Sequence, residues 1–222
     1  MLQELAVSVK EELDGSTSGT IEALEDIFHD LVAAIVKQEH GGLLLVTKQP
    51  DWCEFSSSRE IECSLLQRLL LQYWNDVATL LAEVGGVDNL ITRQQLTPSR
   101  HSQVVASDTT MLENCLRSIS QLAGMDGAIV MDYACNVVAF NAIIARNPVG
   151  ATQASLVDRN GREIPEAQVI KNRGSRHQSA LSYVRRVPDS FVFAISQDGG
   201  VSAFHNRGDG TVLCEVGHRV LG

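Results

Sequence analysis

The chain has 222 residues, of which 44% are hydrophobic and 20% are charged, and its formal net charge is -9. This composition is that of an ordinary globular protein and excludes a largely disordered chain. The excess of acidic residues argues against a protein that binds nucleic acid without sequence preference, because such binding depends on neutralising phosphates. A nucleotide substrate is not excluded, since a bound divalent cation can supply the screening charge.

Cysteine spacing and hydropathy indicate the compartment. No C-x-x-C pair or ligand cluster is present, which is typical of reduced thiols in a cytosolic protein. The five cysteines are Cys53, Cys63, Cys115, Cys135 and Cys214. No apolar run approaches the roughly 18 residues that a membrane-spanning helix needs. The first residues contain Glu4 and lack a basic start, so they do not form a secretory signal. We therefore expect a soluble, cytoplasmic protein with no membrane span.

The first half of the chain is predicted to be mainly helical. Residues 1–20 form a predicted helical extension that includes a turn-like stretch at 14–19, and residues 21–222 form the main domain. Apolar residues follow the 3.6-residue period over 21–37 and again over 61–82. The run LLLVTK at 43–48 predicts a buried strand between these two helices. Residues 87–108 contain Pro98 and are predicted to be a connecting excursion.

The second half is predicted to be mainly strands. A third helix, at about 110–122, precedes a hairpin formed by AIVMDY and VVAFNAII. Residues 145–172 are polar and irregular, and a short helix follows at 175–184. The runs 191–196, 201–205 and 211–216 predict three more strands. The fold class is therefore α/β with α+β layering, in which helices flank a mixed central sheet.

Two short segments hold the residues that could carry chemistry. Asp126, Gly127 and Ala128 lie where a helix meets a buried strand, so the Asp126 carboxylate would be held by rigid elements. The small residues after it would leave space for a ligand to approach the backbone. The alternative interpretation is an ordinary Asp-Gly turn entering a strand, which is common.

The second segment runs from Arg173 to Leu181 and predicts a helix start. Ser175 and Gln178 match the capping-box pattern, which predicts Ser175 as the N-cap. The free N–H groups of a helix start favour an anion. Arg176 and His177 are cationic residues at the positive end of the helix dipole, which is unfavourable for the helix. Such a placement is expected where a bound phosphate supplies negative charge. The alternative is a solvated basic turn, and Arg185-Arg186 at the other end of this helix is predicted to be a solvated helix end.

The order of these segments resembles the diadenylate cyclase (DAC) domain. The match consists of Asp126-Gly127-Ala128, then Gly174-Ser175-Arg176-His177-Gln178-Ser179-Ala180, then a hydrophobic strand ending in Ser196-Gln197-Asp198-Gly199. HGGLLLVTK at 40–48 is similar to the first strand of the family. The resemblance covers about residue 21 to the C-terminus, leaves out residues 1–20, and is specific only at its motifs.

The resemblance implies a definite reaction. DAC domains join two ATP molecules into cyclic di-3′,5′-AMP with release of pyrophosphate, using two subunits that face each other and Mg²⁺ or Mn²⁺. The implied catalytic residues are Asp126, Arg176 and His177, with Asp126 and Asp198 on the metal. The implied ATP-binding residues are Gly127, Ala128, Gly174, Ser175, Gln178, Ser179 and Ser196. The implied partners are ATP, the cyclic dinucleotide product and a second copy of the chain, without nucleic acid.

Gln178 departs from the family pattern, which has arginine at this position. Glutamine keeps a hydrogen-bond donor but loses the fixed charge and the bidentate fork of the guanidinium. The alternative hypothesis is therefore a weakened or inactive nucleotide-binding regulatory module of the same fold. A purely structural protein is a third interpretation, and it would have no affinity for nucleotides.

Overall fold

The computed structural model describes residues 1–13, 21–84, 100–145, 154–170 and 173–219. In these ranges the chain forms six α-helices: α1 (Leu2–Glu12), α2 (Ile21–Val36), α3 (Leu65–Val84), α4 (Arg100–Gln121), α5 (Glu166–Ile170) and α6 (Ser175–Val184). It also forms eight strands: β1 (Gly42–Thr47), β2 (Phe55–Cys63), β3 (Ala128–Asp132), β4 (Val137–Ile144), β5 (Ser155–Val157), β6 (Ser190–Ile195), β7 (Gly200–Asn206) and β8 (Thr211–Arg219). The predicted turn at 14–19 and the predicted excursion as far as residue 99 lie outside the described residues.

All eight strands belong to one mixed sheet in the order β2-β4-β3-β1-β6-β7-β8-β5. β1 runs parallel to β3, and β5 runs parallel to β8. The remaining neighbours are antiparallel, including the predicted hairpin β3-β4. The predicted fold class, a mixed α/β sheet with flanking helices, is confirmed.

Helices cover both faces of the sheet. Successive side chains of a strand point to opposite faces, so β1 serves two cores. Leu44 and Val46 pack with the helices α1–α4 on one face. Leu43 and Leu45 pack with α5 and α6 on the other face. Because both faces are covered, β1 is buried along its whole length, which explains its continuous apolar sequence.

Helix α1 is packed into the larger of these cores. Leu5, Ala6 and Val9 are fully buried there, beside residues of α2. Glu4 joins α1 to the end of the sheet, because its carboxylate accepts a hydrogen bond from Arg207 at 2.7 Å. None of the helices in the described ranges is long and apolar enough to cross a membrane.

Five elements differ from the sequence prediction. Helix α3 begins at Leu65 and not at residue 61, because residues 61–63 belong to strand β2. Helix α4 begins at Arg100, ten residues before the predicted start, so the end of the predicted excursion is helical. Its early residues are polar, and Asp108 meets Gln72 of α3 through a hydrogen bond instead of an apolar contact. Strand β2 was not predicted, because it is a polar edge strand without apolar alternation. Strand β5 and helix α5 lie in the region predicted to be irregular.

Candidate functional site

The register of the sheet brings the two predicted motifs to one end of it. Leu43 at the start of β1 pairs with Ala128 at the start of β3, and Ala128 pairs with Ala142 near the end of β4. On the other side of β1, Gly42 pairs with Ile195 at the end of β6. The starts of β1 and β3 therefore lie beside the ends of β4 and β6. Helix α6 packs on β6, β7 and β1, and its residues 175 and 176 reach this same end.

Asp126 is held by the backbone on both sides. A 3₁₀ turn over Leu122–Gly124 precedes it, and β3 begins two residues after it. Gly127 has φ +121°, and a Cβ atom there would lie 2.6 Å from the carbonyl carbon of Asn141. Gly127 therefore allows strand β4 to approach closely. The prediction was that a ligand would approach the backbone here. The Asp126 side chain itself is exposed.

The N-cap of α6 is Gly174, and the prediction of Ser175 as the N-cap is wrong. Gly174 is extended, with φ -75° and ψ 179°, and the helix already includes Ser175. No side chain caps this end of the helix within the described residues. The N–H groups of the first turn thus remain available to an anion, as they would at an uncapped helix start.

Two clefts meet at the first turn of α6. The first, named the Asp198 cleft, has a volume of about 400 Å³ and is lined by Arg173, Gly174, Ser175, Arg176, His177, Ile195, Ser196, Gln197 and Asp198. The second, named the Asp126 cleft, has a volume of about 300 Å³ and is lined by Leu43, Asp126, Gly127, Ala142, Ile143, Ile144, Ser175, Arg176 and Ser179. Ser175 and Arg176 line both clefts, so a ligand contacting them could extend into each.

A tight turn fixes Asp198 at the mouth of its cleft. The backbone N–H of Ser196 donates to the carbonyl of Gly200 at 2.8 Å, and that of Gly199 donates to the carbonyl of Ser196 at 3.1 Å. The backbone N–H of Gly200 also donates to Asp198 Oδ1 at 3.3 Å. The second carboxylate oxygen of Asp198 has no such bond in the described structure. The turn thus presents a carboxylate to the cleft with one oxygen available.

His177 is buried, whereas the adjacent Arg176 is partly exposed and Gln178 is exposed. Its side chain is 3% exposed, and its Nε2 lies 3.1 Å from Ser202 Oγ. Burial lowers the pKa of His177 below its ordinary value; the charge of Arg173 lowers it further, and Asp198 opposes the shift. The ring is therefore neutral at pH 7, and it can offer a phosphate a hydrogen bond but no charge. Where Ser202 donates to Nε2, the proton lies on Nδ1.

The structure places most of the predicted site residues in the two clefts, but not all of them. Ala128 is 1% exposed and lines neither cleft. Gln178 is exposed and also lines neither cleft. Positions 177, 180, 181, 183 and 184 are the buried positions of α6, and residue 178 lies about 100° around the helix from 177. This spacing was available in the sequence.

Arg173 lines the Asp198 cleft, although the sequence motif does not include it. It directly precedes the motif, so its position in the chain was the available signal. The apolar wall of the Asp126 cleft was missed as well, because it comes from strand ends distant in sequence. This wall consists of Leu43, Ala142, Ile143 and Ile144.

Arg185 and Arg186 were predicted to be solvated, but they pair with Glu166 and Glu54.

The carboxylates suit a cation that a substrate helps to hold. No group of three or more His, Cys, Asp or Glu side chains that could bind a metal ion is present in the described ranges. Asp126 and Asp198 each line one of the two adjoining clefts. Mg²⁺ and Mn²⁺ in nucleotide enzymes take one or two carboxylates and complete their shell with phosphate oxygens and water. The donor set therefore fits such an ion together with a polyphosphate, and does not fit a metal site built by the protein alone.

No family model and no curated protein matches the chain. Among solved structures, the chain is similar to DacA from Staphylococcus aureus, crystallised as a double mutant. The two are 14% identical, the match covers 90% of this chain and 91% of that chain, and the TM-score is 0.41. DacA is a diadenylate cyclase, the family that the sequence motifs resemble. At this identity and TM-score the likeness says nothing about individual site residues.

Proposed function

We propose that this protein is a diadenylate cyclase, which condenses two ATP molecules into cyclic di-3′,5′-AMP with release of two pyrophosphates. The observation that carries the proposal is the meeting of two clefts at Ser175 and Arg176, with a carboxylate in each cleft. Such an arrangement suits a nucleoside triphosphate. The phosphates need a polar, cationic cleft, the nucleoside needs a more apolar one, and the two parts of the ligand join at the anion-binding residues.

The Asp198 cleft suits the triphosphate. It combines the first turn of α6 with Arg173 and Arg176, two cationic side chains that form no ion pair with the described carboxylates. A guanidinium binds phosphate oxygens in a bidentate manner, and the uncapped helix start adds backbone donors. His177 would add a neutral hydrogen bond. These groups would hold the β- and γ-phosphates, which leave together as pyrophosphate.

The Asp126 cleft suits the nucleoside. Its lining is largely aliphatic, and Ile143, which is 47% exposed, can cover a base or ribose, while Asp126 supplies a polar group. In this placement the α-phosphate is near Ser175 and Arg176, where the two clefts join. A 3′-hydroxyl from a second ATP, bound to a facing copy of the chain, would approach the α-phosphorus from the open side.

The reaction needs little covalent participation by the protein. Each 3′-hydroxyl gives up its proton, its oxygen bonds to the α-phosphorus of the other ATP, and the bond to the pyrophosphate breaks; two such steps close the ring. Catalysis of this type rests on in-line placement and on stabilising charge. Asp126 would accept or direct the proton, and Arg176 would stabilise charge on the α-phosphate. When bound to Asp126 or Asp198, Mg²⁺ or Mn²⁺ would neutralise charge on the phosphates.

The test is to incubate the purified protein with ATP and Mn²⁺ or Mg²⁺ and to measure cyclic di-AMP by mass spectrometry. Asp126→Asn should yield no detectable product, and because Asp126 is exposed the variant should keep its stability. Asp30→Asn is the matched control, since Asp30 is 68% exposed on α2, across the sheet from the clefts. Full activity in Asp126→Asn would refute the role of Asp126. ATP binding without product from the parent would favour the regulatory module.

A further inference from the structure

Arg173 and Arg176 bring two guanidinium groups to the Asp198 cleft from either side of Gly174. Arg176 belongs to the recognised motif, whereas Arg173 precedes the helix and lies outside that motif. The third motif position, Gln178, is exposed and lines neither cleft. In this structure position 178 therefore contributes no atoms to the lining of either cleft.

Arg173 contributes to the cleft lining a charge that is not paired with any described carboxylate. Its backbone N–H donates to the carbonyl of Ile170 at 2.9 Å, which fixes the chain just before α6. Its side chain is partly buried, and its charge lowers the pKa of His177, another residue of the cleft lining. Four other arginines form ion pairs with carboxylates, namely Arg159, Arg185, Arg186 and Arg207. Arg173 forms no ion pair within the described part of the chain, so its guanidinium is available to a ligand.

The cleft has an unbalanced charge that an anion would complete. Arg173 and Arg176 contribute two positive charges, His177 is neutral, and Asp198 contributes one negative charge. Since Asp198 does not pair with either arginine, it remains available to a cation accompanying the anion. A polyphosphate carrying a divalent cation presents both signs of charge and matches this distribution better than a single phosphate or a carboxylate does.

We infer that Arg173 is a polyphosphate-binding residue of this site and contributes the second guanidinium contact that Gln178 does not provide. The inference rests on the proposed function, since it assigns the triphosphate to the Asp198 cleft. Gln178 would then not reduce the number of guanidinium groups at the phosphates to one. Arg173, the residue before Gly174, would supply the second group.

The test measures binding of a non-hydrolysable ATP analogue and of inorganic tripolyphosphate to the purified protein by calorimetry. A lost charge-assisted hydrogen bond corresponds to about a 10- to 100-fold increase in Kd, which we expect for Arg173→Gln with both ligands. Adenosine, which lacks phosphates, should bind Arg173→Gln and the parent equally. Arg173→Lys, which keeps the charge without the fork, should fall between the two.

Two control variants separate a local contact from other effects. Arg117→Gln removes the same charge from an exposed position on α4 that lines neither cleft, and should leave Kd unchanged within a factor of about two, since solvent and salt screen exposed charges. Gln178→Arg should give no comparable gain in affinity. Thermal unfolding of each variant verifies that the fold is intact, and no described ion pair is lost in Arg173→Gln.

The outcomes distinguish this inference from the proposed function. If the parent binds both phosphate ligands and Arg173→Gln binds them equally well, the inference about Arg173 is wrong and the proposed function stands. An equal loss for adenosine would also overturn the inference, because it would indicate a general disturbance of the site. If the parent binds neither phosphate ligand, the proposed function itself fails, and the inference about Arg173 fails with it.

Discussion

Gly127 lies against the backbone of Asn141, and a Cβ atom at position 127 would be 2.6 Å from the Asn141 carbonyl carbon. Asn141 has a positive φ of 51°, and the pairing of β3 with β4 shifts register just beyond this point. The contact therefore forms where two strands are locally irregular. It also fixes Gly127, the residue that follows Asp126. The geometry of the candidate site therefore depends on a contact between two backbone segments.

Gly127→Ala should destabilise the protein strongly, because the added methyl group would collide with backbone atoms that cannot rotate away. We expect the free energy of unfolding to fall by about 3 kcal/mol, from overpacking together with an unfavourable φ. Gly161→Ala is the control, since Gly161 has φ +74° and no atom within 4 Å of its Cβ position. That variant should lose about 1 kcal/mol from backbone conformation alone. Equal losses in urea unfolding would contradict the steric argument.

Glu54→Gln should destabilise the protein by leaving a buried guanidinium without its counter-charge. Arg186 Nη2 lies 2.6 Å from Glu54 Oε2, and the two side chains are 7% and 11% exposed. Removing one member of such a buried pair costs about 3–5 kcal/mol. This pair connects the end of α6 to the chain just before β2, so its loss would also loosen the helix that forms the site.

The matched control for Glu54→Gln is Glu166→Gln. Glu166 pairs with Arg185 at 2.6 Å, but it is 53% exposed. An exposed pair contributes about 1 kcal/mol or less. Both variants should be measured by urea unfolding, and a loss in Glu54→Gln no larger than that in Glu166→Gln would show that burial does not determine the strength of these pairs.

Asp108→Asn should stabilise the protein at neutral pH. Asp108 is 2% exposed between α4 and α3, and burial raises its pKa, with a further increase from Asp76. A carboxyl whose pKa is higher in the folded state stabilises the fold at low pH and loses this contribution as pH rises through the folded pKa. An asparagine would keep the hydrogen bond from Gln72 Nε2 and could donate to Asp76.

The stability gain of Asp108→Asn should depend on pH in a defined way. It should be present at pH 7 and disappear towards about pH 4, the ordinary pKa of an aspartate. Glu113→Gln, at an exposed position on the same helix, should show no such dependence. Urea unfolding at several pH values provides the comparison. A variant less stable than the parent at pH 7 would mean that the ionised carboxylate is favoured in this environment.

The sequence by itself determined the elements whose apolar residues follow a simple period. Helix α2, strand β1 and the β3-β4 hairpin were predicted within a few residues, because each buries a regular set of side chains. The two motifs were also visible in the sequence, since an arginine and a histidine at a helix start oppose the helix dipole and the Asp-Gly pair stands at a junction between a helix and a strand. Strand β2 and the first turns of α4 were not predicted. Their neighbours in the fold, rather than apolar burial, hold them in place.

Only the tertiary structure decided how the candidate site is assembled. Asp126 and Asp198 come to one end of the sheet because β1 pairs in parallel with β3 and antiparallel with β6, a choice that local sequence does not encode. The docking of α6 on the sheet then buries His177, turns Gln178 outward and leaves Arg173 at the cleft. A helix presents each residue about 100° from the last, so the contact with the sheet determines which motif residues can reach a ligand.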